Sequence, residues 1–522
     1  MKKYLPLATG VSFIAVIVAV LEYLSIKKTG GHFCYPLDDT FIHMAVAKNL
    51  VLHGNWGITP NGFVSTSSSP LFTIVLSTFF KLFSVNILMP FVISCAGSLL
   101  MLVAMQRELN GYSSLTTFSK SLCILITLLV GAVPALTLLG MEHTLQIAFT
   151  LFFVHSVAGL LTGQHRLNLW KAAAWAALMT ATRYENASFV MAAFALLAWQ
   201  KRFVPAVVTA IAGALPLLLF AVYSKMHGGD YIPNSILIKG NQNFKYFLNG
   251  GTSLLQATST ISGIIFVSMI IAFRKLQAKK LDRDCWILCM LIIAGLMHSV
   301  FASFGWFYRY EAYLIVLGSF HLLKMALQWW QVNGWSGIKR QIIPVGMLAI
   351  IFYSLPVRGL NSFRNSIRAI YNIYEQQYQM GLFLKEHYKE QTVAANDVGA
   401  ISFMADLNTI DLWGLGNNEV ANARKHNYWN SGFLQKLVRD NHTRVAVIYD
   451  SWFDKDLPAQ WVKVATWEMP YNYICGDIKV TFYGITPDEG GLLKTNLQSF
   501  SAQLPKDVKV EYFGEQLTAN SH

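Results

Sequence analysis

The sequence predicts a polytopic α-helical membrane protein with a soluble α/β domain at its C-terminal end, and three observations predict it. Of 522 residues, 54% are hydrophobic and only 13% charged, about half the charge of an ordinary soluble chain. Long apolar runs fill the first two thirds and stop near Pro356. The net charge of +13 divides unevenly there: residues 1–356 carry 25 Lys+Arg against 10 Asp+Glu, and residues 357–522 carry 16 against 18. A basic excess confined to the oily part orients helices in a membrane and does not point to nucleic acid. The composition excludes a disordered, fibrous or ordinary cytosolic protein, and six cysteines exclude a disulfide scaffold.

Crossing about 30 Å of hydrocarbon takes roughly 20 apolar residues. Runs of that size lie at 4–26, 87–106, 119–138, 144–162, 203–223, 253–273, 285–304 and 311–330, with shorter ones at 168–182, 187–200 and 341–356. That makes about eleven spans. The first resembles a signal peptide, but its apolar run is too long and ends in Lys27-Lys28 without a small-residue cleavage site. It therefore reads as an uncleaved anchor. With the N-terminus inside, 15 basic residues fall on about 43 inner loop residues and 9 on about 104 outer ones, which fixes the orientation. The odd number of spans then puts residues 357–522 outside, as a domain separate from the membrane part at 1–356. The apolar stretch Pro70–Phe83 is 14 residues, only about 21 Å as a helix. It is expected to lie in the outer interface as a juxtamembrane helix.

Residues 357–522 carry more charge, Asn and Gln. A helix is expected over 366–388, another over 432–439, and buried strands at 392–395, 409–412 and 444–449. Each of these strands is a short β-branched run bounded by turn or polar residues, and their alternation with helices suggests an α/β layer. No phosphate-loop or dinucleotide fingerprint is present.

The carboxylates of the membrane part gather on one side. Asp38, Asp39, Glu142, Glu185, Asp230 and Glu311 fall on outer connections or span edges, as do Arg183, Lys239, Arg309 and His143. Charged groups at the lipid boundary are costly and mark sites or pathways. Asp38-Asp39 opens a helical stretch where aspartate is a favoured cap; equally, neighbouring like charges raise one pKa towards that of a general base or create a metal ligand. Arg309 either snorkels or pairs with Glu311, or its planar fork grips a phosphate. Lys239 could serve the same anion. Arg183 and Glu185 read as an ion pair at a recessed hairpin tip, Glu142 as a helix-start carboxylate, and His43 as a packed or interfacial histidine. The run Ser65-Thr66-Ser67-Ser68-Ser69 reads as a capped loop. Cys34 and Cys475, the two outer cysteines, could form a disulfide.

At these residues the chain resembles a known family. Leu37-Asp38-Asp39-Thr40-Phe41-Ile42-His43, Asn55-Trp56-Gly57 and Ser65-Thr66-Ser67-Ser68-Ser69-Pro70 resemble the first outer loop of GT-C membrane glycosyltransferases. The resemblance is to the branch of the mycobacterial cell-wall β-arabinofuranosyltransferases, with protein O-mannosyltransferases and lipid A aminoarabinose transferase as more distant relatives. Gly140-Met141-Glu142-His143, Thr182-Arg183-Tyr184-Glu185, Ile232-Pro233-Asn234-Ser235, Arg309-Tyr310, Asn396-Asp397-Val398-Gly399 and Ile410-Asp411-Leu412-Trp413-Gly414-Leu415 look like further patterns of that branch. Tyr184 departs from it, standing where relatives often have proline.

The resemblance implies a bacterial inner-membrane enzyme. It would move a sugar from a polyprenyl-phosphate donor to a hydroxyl of an envelope glycan, glycolipid or protein on the outer face. It places the catalytic role on Asp38 or Asp39 without separating them. Arg309 and Lys239, then Arg183 and His143, would bind the donor phosphate, and Glu142, Glu185, Tyr310 and His43 would line the substrate site. A divalent cation between the aspartates stays open, because no complete ligand set is visible. The rival readings are a transporter or flippase of lipid-linked sugars, and a non-catalytic envelope assembly protein.

Overall fold

The computed structural model describes residues 2–164, 166–236, 259–338 and 342–514. Seven helices among them are long and apolar enough to cross a membrane: Leu5–Lys28, Met89–Asn110, His143–Leu161, Phe203–Met226, Ser259–Gln277, Arg283–Phe301 and Ala312–Gly334. The other four expected spans fall on shorter helices: Thr117–Val130 continued by Val133–Leu138, Arg166–Thr182, Ala187–Trp199 and Ile342–Ser354. The chain is thus a polytopic helical membrane protein, and its amphipathic helix Pro70–Phe83 packs beside Asp38–His53.

The expected run 119–138 is one apolar stretch but two helices. Gly131 approaches helix Ala312–Ile338 so closely that a Cβ there would lie 2.4 Å from Val316. Ala132 then turns into the left-handed region at φ 53°, and Pro134 restarts the helix. The carbonyl of Val130 freed by this break accepts from the buried Arg358 guanidinium at 3.3 Å, so the interruption leaves no orphaned backbone acceptor there.

The C-terminal part is a six-stranded mixed sheet in the order β2-β1-β3-β5-β4-β6. β1 (Thr392–Ala395), β2 (Asn408–Asp411) and β3 (Val445–Ile448) are parallel. β4 (Val462–Glu468), β5 (Lys479–Gly484) and β6 (Lys509–Tyr512) add an antiparallel half. Sequence reading finds the parallel half alone, because its strands are short buried β-branched runs. β4 and β5 interleave Lys, Thr, Trp and Tyr. All six cysteines are free, and Cys34 and Cys475 are each buried without a disulfide.

The carboxyl-end loops of β1 and β2 rest on the first long loop of the membrane part. Gly399 and Ala400 donate to Asp38, and Asn418 donates to the carbonyl of Phe63 at 2.8 Å. Asn234 ties in the loop after helix Phe203–Met226, bonding Ser65 at 3.2 Å and Asn418 at 3.0 Å. Three separate stretches of chain meet at one end of the helix bundle.

Candidate functional site

Asp38 and Asp39 open the same helix, and their side chains part company. Asp38 is buried and turned to the α/β domain, where it accepts the backbone N–H groups of Gly399 at 2.6 Å and Ala400 at 2.8 Å. A Cβ on Gly399 would sit 2.5 Å from Asp38 Oδ2, so this approach requires glycine. Burial, then the neighbouring Asp397 carboxylate, push the Asp38 carboxyl well above its usual pKa. Asp39 points the other way, into a cavity of about 260 Å³, and forms an ion pair with Arg309.

Arg309 sits on a backbone that few sequences adopt. Gly305, Trp306, Phe307 and Tyr308 all have positive φ, at 77°, 39°, 60° and 63°, a conformation costing roughly 1–2 kcal/mol per non-glycine residue. The turn is pinned by Glu311, which accepts from the Gly305 N–H at 2.7 Å and pairs with Arg358 at 2.5 Å. Arg358 also donates to the Tyr308 carbonyl at 3.1 Å. The expected Arg309–Glu311 pair is therefore replaced by two others, Arg309–Asp39 and Arg358–Glu311. Arg309 and Glu311, two residues apart, thus take different partners. Arg309 is almost fully buried, donates to the Tyr310 hydroxyl at 3.1 Å, and keeps its Nε–H without a partner.

Arg183 is the second buried guanidinium. It grips Glu185 through two bonds of 3.1 and 2.5 Å, Glu142 at 3.0 Å and the Ser68 hydroxyl at 3.0 Å. Burial raises the Glu185 pKa and the Arg183 pair outweighs it, leaving that carboxyl below its ordinary value. Glu142 behaves alike: burial opposes its charge, and His143, His43 and Arg183 together hold it lower. Burial lowers the His43 pKa, and its Nδ1 meets Ser67 Oγ at 3.2 Å. The serine-rich run thus supplies contacts at both levels, Ser67 to His43 and Ser68 to Arg183.

Asp39, His43, Arg183, Tyr184, Glu185, Arg309 and Tyr310 line the cavity together. Glu142 and His143 are fully buried behind them, so they support the wall without lining it. Lys239 lies outside the described residues. Sequence reading misses His298, which lines the cavity while bonded to the Tyr313 hydroxyl and the Ser303 carbonyl, both at 3.0 Å. A lone histidine in an apolar run carries no signal of its own. Leu415, from the α/β domain, closes one side.

A cation would find separated aspartates here, since Asp38 is turned away from Asp39. Glu142 Oε2 and His143 Nε2 are buried without hydrogen-bond partners, with His43 Nε2 3.6 Å from Glu142 Oε2, and the Arg183 guanidinium already holds Glu142 at 3.0 Å. Far along the same helices, Glu108, His155 and His321 bring ligand atoms within 4.8 Å of one another.

The family model described as a domain of unknown function, DUF8728, matches residues 367–483, which span the helix Gln379–His387 and β1 to β5. No curated protein matches the chain in sequence. Among solved structures, the chain is similar to ArnT from Cupriavidus metallidurans bound to undecaprenyl phosphate, at 9% identity and TM-score 0.52 over 92% of this chain and 99% of that one. It also aligns with an Archaeoglobus fulgidus oligosaccharyltransferase in complex with Zn and sulfate (11% identity, TM-score 0.47, 96% and 74% covered). A third alignment is with the arabinofuranosyltransferase AftD from Mycobacteria (13% identity, TM-score 0.39, 91% and 41% covered). Likeness at these identities is one of fold, and it rests on the first of the three.

Proposed function

We propose that this GT-C-type fold serves as a membrane glycosyltransferase, moving a sugar from a polyprenyl-phosphate donor to an acceptor hydroxyl at the outer face of a bacterial inner membrane. The observation that carries the reading is the Asp39–Arg309 pair at a cavity with an apolar, exposed flank. Met191, Ile236 and Phe301 line that cavity and all three are exposed, Phe301 at 76%. A lipid tail needs such a flank, and a lipid phosphate needs a cation at its mouth. The ArnT structure with undecaprenyl phosphate supports a lipid of this kind.

In this reading Asp39 is the base and Asp38 is not. Asp39 takes the proton from the acceptor hydroxyl as that oxygen bonds to the anomeric carbon. The bond from that carbon to the phosphate oxygen breaks, and its electron pair leaves on the phosphate. Arg309, whose Nε–H is unpartnered, stabilises the developing charge in a low-dielectric site. Arg183 comes second, because Glu185, Glu142 and Ser68 already occupy most of its donors. His43, Tyr310 and Glu185 would contact the sugar, with Glu142 and His143 holding the wall and Lys239 available to the phosphate. The α/β domain, residues 357–522, would stand on the outer side over the acceptor.

The test separates the two aspartates. With a labelled polyprenyl-phosphate sugar, Asp39→Asn should lose about 10²–10⁴-fold in transfer per folded molecule, the usual share of a general base, beyond any fall in unfolding temperature from leaving the buried Arg309 without its counter-ion. Asp38→Asn should lower the unfolding temperature and retain most transfer per folded molecule. Full activity in Asp39→Asn would falsify the assignment.

A further inference from the structure

We propose that the α/β domain carries a subsite for an acidic sugar, formed by Arg424 on a wall of Trp413, Trp429 and Trp452. This deepens the glycosyltransferase reading by naming the acceptor's chemistry, and it rests on that reading.

The subsite begins at the carboxyl end of β2, the end at which open α/β sheets bind ligands. Asp411 accepts three backbone N–H groups there, from Trp413 at 2.7 Å, Gly414 at 3.1 Å and Gly416 at 2.5 Å. Gly414 takes φ 99° to close the turn, with no room for a Cβ against Ala421. This tight loop presents Leu415 to the cavity and Trp413 to the subsite. Two residues span at most about 7 Å, roughly one sugar ring. The loop thus carries one residue on the cavity and, two positions before it, one on the tryptophan wall.

Trp413 packs on Trp452 with centroids 4.7 Å apart and stands edge-on to Trp429 at 6.0 Å. Trp429 is fixed by its indole N–H, which donates to the Leu412 carbonyl at 3.1 Å. All three rings are half-buried, leaving aromatic surface on which the apolar face of a pyranose can lie. The Arg424 guanidinium lies 3.6 Å from the Trp413 ring centre and 4.9 Å from that of Trp429.

Arg424 is unlike the two cavity arginines and Arg358 near them. Arg183, Arg309 and Arg358 each hold a carboxylate. Arg424 has no carboxylate within ion-pair distance among the described residues, and its Nη1 is buried without a hydrogen-bond partner. Stacking on tryptophan orients the fork without satisfying its N–H groups. A planar fork held rigid beside an aromatic wall fits a sugar carrying a carboxylate or phosphate, since guanidinium bonds both bidentately.

The test uses the full chain in nanodiscs of zwitterionic lipid and reads binding by saturation-transfer NMR. The probes are trigalacturonate, glucose 6-phosphate and neutral maltotriose. At least one acidic probe should bind ten-fold or more tighter than maltotriose, and the two acids tell carboxylate from phosphate. Arg424→Gln should erase that advantage, Arg424→Lys should keep a part of it, and Trp413→Ala should weaken all binding. Unfolding temperature measured beside each variant separates lost binding from lost structure; if Arg424→Gln does not fold, Arg424→Lys carries the comparison. Acidic probes that bind no tighter than maltotriose, or an advantage that persists undiminished in folded Arg424→Gln or in Arg424→Lys, would overturn the proposal. Transfer is not read here, so failure of this subsite leaves the Asp39 assignment standing, and an active Asp39→Asn enzyme leaves the subsite standing.

Discussion

Two buried ionic clusters occupy opposite ends of the same helices, and one of them opens on the cavity described above. Helix His143–Leu161 starts beside Glu142 and reaches His155 about 18 Å further on. Helix Arg283–Phe301 runs the other way, from Arg283 and Asp284 to His298 on the cavity. At the closed end, Glu108 sits between Lys324 and Arg283, both at 2.9 Å. Lys324 also reaches Asp284 at 2.7 Å and the Tyr112 hydroxyl at 2.8 Å. Composition is the same at both ends, two or three carboxylates against two cations with histidines nearby. Openness is what differs. Lys324 spends its donors on three internal acceptors with no exposed surface, whereas Arg309 keeps an unpartnered N–H and Asp39 faces the cavity. Charge in a membrane marks something worth explaining, and access from a cavity distinguishes the Asp39–Arg309 end.

The largest break in that comparison comes from cutting the brace. Lys324→Met leaves Glu108 and Asp284 buried with one cation fewer, and removing one partner of a buried pair costs about 3–5 kcal/mol. The expected result is a lower unfolding temperature and poor yield, with normal transfer per folded molecule. Asp39→Asn should show the reverse in activity, with transfer lost per folded molecule. If Lys324→Met folded normally and lost transfer, the closed cluster would have to join the functional machinery.

A smaller effect tests how the domain sets the site. Gly399→Ala places a Cβ 2.3 Å from the Asp38 carbonyl oxygen and 2.5 Å from its carboxylate, so the helix start must shift. Overpacking of this kind costs about 1–3 kcal/mol. Because Asp39 is the next residue, kcat should fall several-fold while the KM for the donor changes little. An unchanged kcat would mean that the domain contact does not align Asp39.

Much of this was legible beforehand, for stated physical reasons. Span positions follow from apolar run length, so among the described residues the eleven stretches fall on helices, 119–138 on two of them. The pair Asp38-Asp39, the Arg183–Glu185 contact and the importance of Arg309 could be read because charge is rare in apolar surroundings. Partner choice could not. Arg309 meets Asp39 across 270 residues, and Arg358, which frees it by taking Glu311, sits at the boundary where the sequence reads as a span ending. The separation of Asp38 from Asp39 depends on a glycine amide 361 residues away. β4 and β5 escaped notice because Lys, Thr, Trp and Tyr interrupt their apolar residues.

The smallest effect concerns a carboxyl that belongs to neither cluster. Glu375 is buried in the domain's first helical segment, accepts from Asn372 at 3.4 Å and has no ion-pair partner among the described residues. Burial pushes its pKa up to about 7, with the Asp507 carboxylate adding to the rise. Between about 4.5 and 7 the folded chain therefore holds a proton that the unfolded chain releases, so stability is greatest at the acid end and falls as pH rises through the folded value. Unfolding temperature should drop by a few degrees from pH 5 to pH 8. In Glu375→Gln that slope should flatten, with a gain over wild type at pH 8 and little change at pH 5. Glu142 makes the contrast: its cation holds the carboxyl charged, so Glu142→Gln should destabilise at pH 8. A variant pair with the same sign at both positions would show that the nearby cation, rather than burial alone, is not what distinguishes the two.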